Sequence, residues 1–183
     1  MILFKSIRSS IGNSILKRKL KHYRRIKSLF NFETSKLVGV VFKTDSLGDF
    51  EIVKKFLHFL TEQNNKVVAL CFVDYKRVPD YYFLRKGFNF FSRNDLNFFF
   101  LPQTQFIDDF IQKPFDMLID LSIDNNFPLY YISSLSAAKF KIGKLQQGHN
   151  CFDVMIDTNK DNSVQSLIEQ IKHYVPVLCG VSV

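Results

Sequence analysis

Along the chain, apolar residues fall into short continuous runs separated by segments of helical periodicity. Leu37-Val38-Gly39-Val40-Val41-Phe42-Lys43 and Lys66 to Val73 are β-branched runs of the kind that fill strands buried on both faces. Between them, Phe50, Val53, Phe56, Leu57 and Leu60 recur at steps of three and four, which predicts a helix closing near Asn64-Asn65. Strand, helix and strand at this short spacing predict parallel pairing through a right-handed crossover. Tyr81-Tyr82-Phe83, Phe88 to Phe91 and Asn97 to Phe100 read as short extended pieces, with their Phe residues in the core. Further helices are predicted over Thr104–Gln112, Pro128–Ala137 and about Ser163–Leu178, the last capped by Ser163. Strands are predicted over Phe115–Leu121, Ala138–Gly143 and Cys151–Asp157. The sum is an α/β fold, a doubly wound, mostly parallel open sheet of five to six strands of the Rossmann-like type.

Ahead of that sheet, Phe4, Ile7, Ile11, Ile15, Leu16, Leu20 and Tyr23 continue at helical spacing toward Phe30. They predict an amphipathic helix over residues 2–30, about 40 Å long if continuous, with Gly12-Asn13-Ser14 as its expected break or kink. Residues 1–35 are read as this helix and a short linker, and 36–183 as the α/β domain.

Charge changes the picture most at that helix. The formal net charge is +8, yet residues 1–30 carry nine basic side chains and no acid, while the remaining 153 residues hold 16 basic and 17 acidic ones. The domain is nearly neutral and the arm is cationic. Lys17, Arg18, Lys19, Lys21, Arg24, Arg25 and Lys27 place seven cations in eleven residues. Such density binds polyanions by counterion release, and interleaved His22 and Tyr23 can stack on bases. The expected partner is RNA, rRNA or a ribonucleoprotein first. An anionic membrane surface suits the same amphipathic pattern. A protein partner, or a solvated face over a packed stripe, accounts for it as well. No oligomeric state is indicated.

No apolar run approaches the roughly 20 residues that span a bilayer, and Lys5 and Arg8 interrupt any secretory h-region. The expectation is a cytoplasmic protein, at most peripheral to the ribosome or the inner membrane face. Cys71, Cys151 and Cys179 lie far apart beside apolar runs and are expected to be reduced thiols, with no zinc spacing and no metal site.

Candidate chemistry at the strand ends is sparse. Thr44-Asp45-Ser46-Leu47-Gly48-Asp49 follows the first strand but contains neither a G-x-G-x-x-G nor a G-x-x-x-x-G-K turn, so no nucleotide cofactor is expected. Asp45, Ser46, Gly48 and Asp49 are the candidate ligand cleft. Either Asp45 or Ser46 caps the following helix, and Asp49 is a candidate general base. Asp116, Asp120 and Asp124 flank the Phe115–Leu121 strand, with Asp120 a candidate partner to Asp49 for acid–base work. His149, in the loop Gln146–Asn150, is the one histidine expected in a position to meet a ligand.

Two of these stretches carry a resemblance. Ser46-Leu47-Gly48-Asp49 resembles the LGD turn of heptosyltransferase-like GT-B glycosyltransferases, which implies a base at Asp49. Phe115-Asp116-Met117-Leu118-Ile119-Asp120-Leu121, with Leu135 to Gly143, is similar to a second passage of their acceptor-side half. The proline that follows the LGD helix in that family is missing, and the nucleotide-sugar half has no counterpart in these 183 residues. The resemblance therefore implies the fold, or a half-sized relative binding a sugar or nucleotide. The whole chain more closely resembles an uncharacterised family of small Bacteroidota proteins, through its basic helix, Phe115-Asp116-Met117-Leu118-Ile119, Ala138-Lys139-Phe140-Lys141-Ile142-Gly143 and Phe152-Asp153-Val154-Met155-Ile156-Asp157.

Overall fold

A computed structural model describes residues 2–44, 46–83, 87–146, 148, 151–158 and 161–178, with side chains left aside at residues 2–5, 47, 81 and 83. The elements run α1 (Ile2–His22), β1 (Leu37–Lys43), α2 (Leu47–Glu62), β2 (Lys66–Phe72), α3 (Asp80–Phe83), β3 (Phe88–Phe91), α4 (Gln105–Gln112), β4 (Met117–Asp120), α5 (Phe127–Leu135), β5 (Phe140–Lys144), β6 (Val154–Ile156) and α6 (Val164–Leu178). The six strands form one sheet in the order β3-β2-β1-β4-β5-β6, every pair parallel. This 3-2-1-4-5-6 order places a topological switch between β1 and β4, where successive crossovers leave for opposite ends of the sheet.

Strand alternation sorts the core into two layers. Val38, Val40 and Phe42 of β1 and Met117 and Ile119 of β4 face α2 and α6, whose Phe50, Val53, Leu60, Leu167 and Ile171 cover them. Val41 and Leu118 face the other way, onto Ile107 and Phe110 of α4 and Leu129 and Ile132 of α5. Each helix shows the sheet one apolar stripe, and the central strands are apolar on both faces because both are covered.

The first helix ends earlier than its periodicity suggests. It stops at His22, and residues 23–30 run on without regular structure. Continuing it would stack Lys17, Lys21 and Arg25 at i, i+4 spacing, where like charges repel. The irregular path instead gives the segment after His22 its partners: Ser28 N donates to Lys139 O, and Arg25 reaches Lys139 O just before β5. Gly12 does not break α1. It lies at the closest approach of the helix to the domain, where a Cβ would stand 2.5 Å from Phe99 O and 2.9 Å from the Phe127 ring.

Two aromatic stretches expected to be extended are not. Residues 80–83 form a helical turn, with Tyr82 N donating to Pro79 O, and Tyr82 is buried against Phe50 and Phe90. Around residues 97–100 the chain turns, because the Asn97 side chain accepts from Phe99 N and Leu101 N and so competes with strand pairing. The 31–36 linker is likewise an ordered turn, with Asn31 Oδ1 accepting from Glu33 N and Thr34 N.

Candidate functional site

The polar groups gather at two places, the outer side of α1 and the carboxyl edge of the sheet. On α1, Leu16 is buried and Lys19 Nζ donates to Tyr131 Oη of α5 at 2.6 Å. Beyond the helix, the Tyr23 hydroxyl donates to Ser136 O, and burial pushes its phenol pKa up. Arg25 donates from Nη1 to Ala138 O and Lys139 O and from Nη2 to both oxygens of Asp153, which Lys27 also approaches at 3.1 Å. Burial would raise the Asp153 pKa, but Arg25, the Lys141 amide and Lys27 outweigh it and hold the carboxyl below its usual range.

The seven cations of the sequence motif thus divide. Arg25 is anchored inside the structure, Lys19 and Lys27 each have a partner, and Lys17, Arg18, Lys21 and Arg24 project from the surface. Arg18, Lys19, His22, Tyr23 and Leu135 line a shallow open groove of about 580 Å³ with an apolar floor and a cationic rim. Ile7 and Ile11 stand exposed on the same helix.

Below this arm lies a group that sequence reasoning passed over as one more strand residue. Lys141 of β5 is fully buried, and its Nζ donates to Ser133 O and Ser134 O at 2.8 and 3.0 Å. It thereby satisfies carbonyls that the end of α5 leaves without helical partners. Desolvation, with Arg25 adding to it, depresses its pKa to about 7. The neighbouring Cys151 thiol is pushed up to about 12, first by burial. The one available signal was a lysine between Phe140 and Ile142 in a strand covered on both faces.

At the sheet edge, Ser46 caps α2: its Oγ accepts from Asp49 N and donates to Asp49 Oδ2. The cap occupies one amide of the first turn of α2. At Gly48 an added Cβ would meet only Ser46 Oγ, at 3.7 Å. Asp45 and His149 lie outside the described residues. Asp49 lines a crevice of about 270 Å³ with Lys43, Leu121, Ser122, Ile123, Asp124, Asn162, Ser163 and Val164.

Asp120 points through the opposite face of the sheet, toward α5. It accepts from Ser133 Oγ at 2.6 Å and Ser122 N at 2.9 Å, and burial raises its pKa. The structure therefore does not bring Asp49 and Asp120 to one side of a cleft. Asp116 is occupied at the other end of β4, where it accepts from Lys36 N, Leu37 N and Lys139 Nζ. Among the described residues, Cys71 is buried and Cys151 half-buried, and no group of His, Cys, Asp and Glu side chains is placed to hold a metal ion. No helix among them is long and apolar enough to cross a membrane.

The parallel 3-2-1-4-5-6 sheet with an appended basic helix defines the class as a Rossmann-like α/β domain. Within that class, the model described as "Family of unknown function (DUF6913)" matches residues 8–178, and the chain belongs to that family. No curated protein matches the sequence. Among solved structures, the E. coli heptosyltransferase WaaC with ADP is similar, at 14% identity and a TM-score of 0.45. That match covers 79% of this chain and 48% of the heptosyltransferase, so this chain spans about half of that protein's length.

Proposed function

We propose that the protein is a non-catalytic binding module that docks through its basic helix on RNA, in the first place rRNA or a ribonucleoprotein. The observation that carries this is the groove beside Tyr23. Its floor of Tyr23 and Leu135 suits an unstacked base, and Arg18, Lys19 and His22 on its rim suit the adjoining phosphates. Lys17, Lys21 and Arg24 extend the same positive surface, and no acidic residue precedes Glu33 to oppose it. A flat anionic membrane would meet the cations but has no use for the concavity.

The test is fluorescence anisotropy of the full chain with short single-stranded and duplex RNA across a salt series. Expected is binding that weakens as salt rises, with single strands preferred. Replacing Lys17, Arg18, Lys21 and Arg24 by Ala should reduce the salt slope by roughly one per lost phosphate contact. Absence of binding at low salt, or an affinity indifferent to those four substitutions, overturns the reading. Flotation of the protein on anionic vesicles without RNA binding would reassign the surface to lipid.

A further inference from the structure

We propose that residues 23–30 form a proton-gated strap over the buried amine of Lys141: the strap stays closed while that amine is neutral and lifts more often once it carries a proton.

The hydrogen bonding around the amine suits its neutral form. Lys141 is 1% exposed, and its Nζ donates to Ser133 O and Ser134 O. Two N–H groups answer two carbonyls, whereas an ammonium brings a third donor. That third direction is left to the Tyr23 ring, whose centroid lies 5.3 Å from Nζ. Burial and the Arg25 guanidinium also disfavour the charge, which brings the pKa to about 7.

The other charged and titratable groups around the amine do not cancel this. Lys27 of the strap adds to the repulsion, while Asp153 favours the charge. Both Asp153 oxygens, however, already accept from Arg25, with Lys27 at 3.1 Å. The Cys151 thiol, pushed up to about 12, is protonated at neutral pH. Asp120 of β4 lies behind Ser133, whose hydroxyl it accepts, and Lys139 is paired with Asp116. From α5 the amine receives carbonyls, and the phenol of Tyr131 on that helix is taken by Lys19 of α1.

Of the pieces that cover Lys141, the sheet and α5 belong to the core, and the strap has no regular structure. Ile26 and Leu29 within it are exposed. Its anchors are the Tyr23 hydroxyl on Ser136 O, the Ser28 amide on Lys139 O, and the Arg25 fork. Lifting it admits water to the amine, whose pKa then moves toward the ordinary lysine value of about 10.4. Below pH 7 the amine is charged in both states, and opening is most frequent. Above pH 7 opening takes up a proton, so each pH unit makes it up to about tenfold rarer. Tyr23 lines the groove beside α1, so that groove is complete while the strap is closed.

The experiment is hydrogen exchange of the full chain at pH 6, 7, 8 and 9, each rate divided by the intrinsic rate at that pH. The Ser28 amide reports the strap, and the amides of β1 report global unfolding. Expected is weaker protection at Ser28 than in β1, level from pH 6 to 7 and rising up to about tenfold per unit from pH 7 to 9. Lys141→Met should strengthen protection at Ser28 at pH 6 and remove its pH dependence. His22→Gln should leave the wild-type slope in place, and it carries the test if Lys141→Met does not fold. Protection at Ser28 equal to that of β1, a level profile in the wild type, a slope that survives Lys141→Met, or one that disappears with His22→Gln overturns the proposal. RNA is absent from the measurement, so its outcome stands apart from the reading of the basic helix.

Discussion

Arg25 Nη2 stands 2.6 Å from both carboxylate oxygens of Asp153, while Nη1 of the same guanidinium donates to two backbone carbonyls of the turn before β5. One side chain thus ties the N-terminal arm to β5 and to the approach to β6. Removing it leaves a half-buried carboxylate with Lys27 and the Lys141 amide for partners. We expect Arg25→Ala to lower the free energy of unfolding by about 2–3 kcal/mol in urea titration. Arg25→Lys should rescue little, because an ammonium cannot serve both directions of the fork.

Stability should rise between pH 7 and about pH 9 on account of Lys141. Its folded pKa of about 7 lies well below the unfolded value near 10.4. Above pH 7 the unfolded chain therefore binds more protons at this site than the folded one, and raising the pH favours folding. The slope approaches about 1.4 kcal/mol per pH unit at most. Below pH 7 both states are protonated, and the cost of burying the charge is fully present. Urea titrations at pH 6, 7, 8 and 9 check this, and Lys141→Met should flatten the profile. A profile of unchanged slope in that variant would remove Lys141 as its source.

Gly12→Ala should destabilise, against the usual sign. An exposed helical glycine gains about 1 kcal/mol on replacement by alanine. Here the new methyl would press on Phe99 O and the Phe127 ring, so α1 must shift away from the domain. We expect a net loss of about 1–3 kcal/mol, measured by chemical denaturation. Near-ultraviolet circular dichroism should report the disturbed Phe and Tyr packing.

The four exposed cations should behave oppositely to Arg25. Replacing Lys17, Arg18, Lys21 and Arg24 together by Ala removes neighbouring like charges and, of internal hydrogen bonds, only those that the exposed Arg24 donates to Lys21 O and Tyr23 O beside it. Tm should hold or rise slightly at low ionic strength, and the difference should vanish in about 1 M salt, where the screening length is about 3 Å. A large loss of Tm would mean that these side chains hold the fold.

The sheet was legible because its central strands are continuous apolar runs at regular spacing, and β1 and β2 begin where composition places them. The end of α1 was not, because periodicity from Leu16 to Tyr23 says nothing of partners supplied by residues 136–153. Tyr82 was misread for a related reason: an aromatic triplet fits a strand or a helical turn equally, and Pro79 tips it toward the turn. At the candidate site, Ser46 and Asp49 were legible as a helix cap and as part of a strand-end cleft. Their neighbours Asn162 and Ser163 were not, since they arrive from more than a hundred residues away. Asp120 was placed correctly at a strand end, but one residue of register decides which face it serves, and strand boundaries in sequence are not that sharp.

The anchoring of the arm also has an order in time. Arg25 lies 128 residues before Asp153 and 113 before Ala138, and Lys19 lies 112 before Tyr131. During synthesis the arm is made before the residues of α5, β5 and β6 that anchor it. Until Tyr131 and Asp153 have followed, its cations lack those partners, and contacts of such long range close late in folding. The groove beside Tyr23 therefore cannot close before Leu135 has been made, and Arg25 finds its carboxylate only when the sheet is nearly complete.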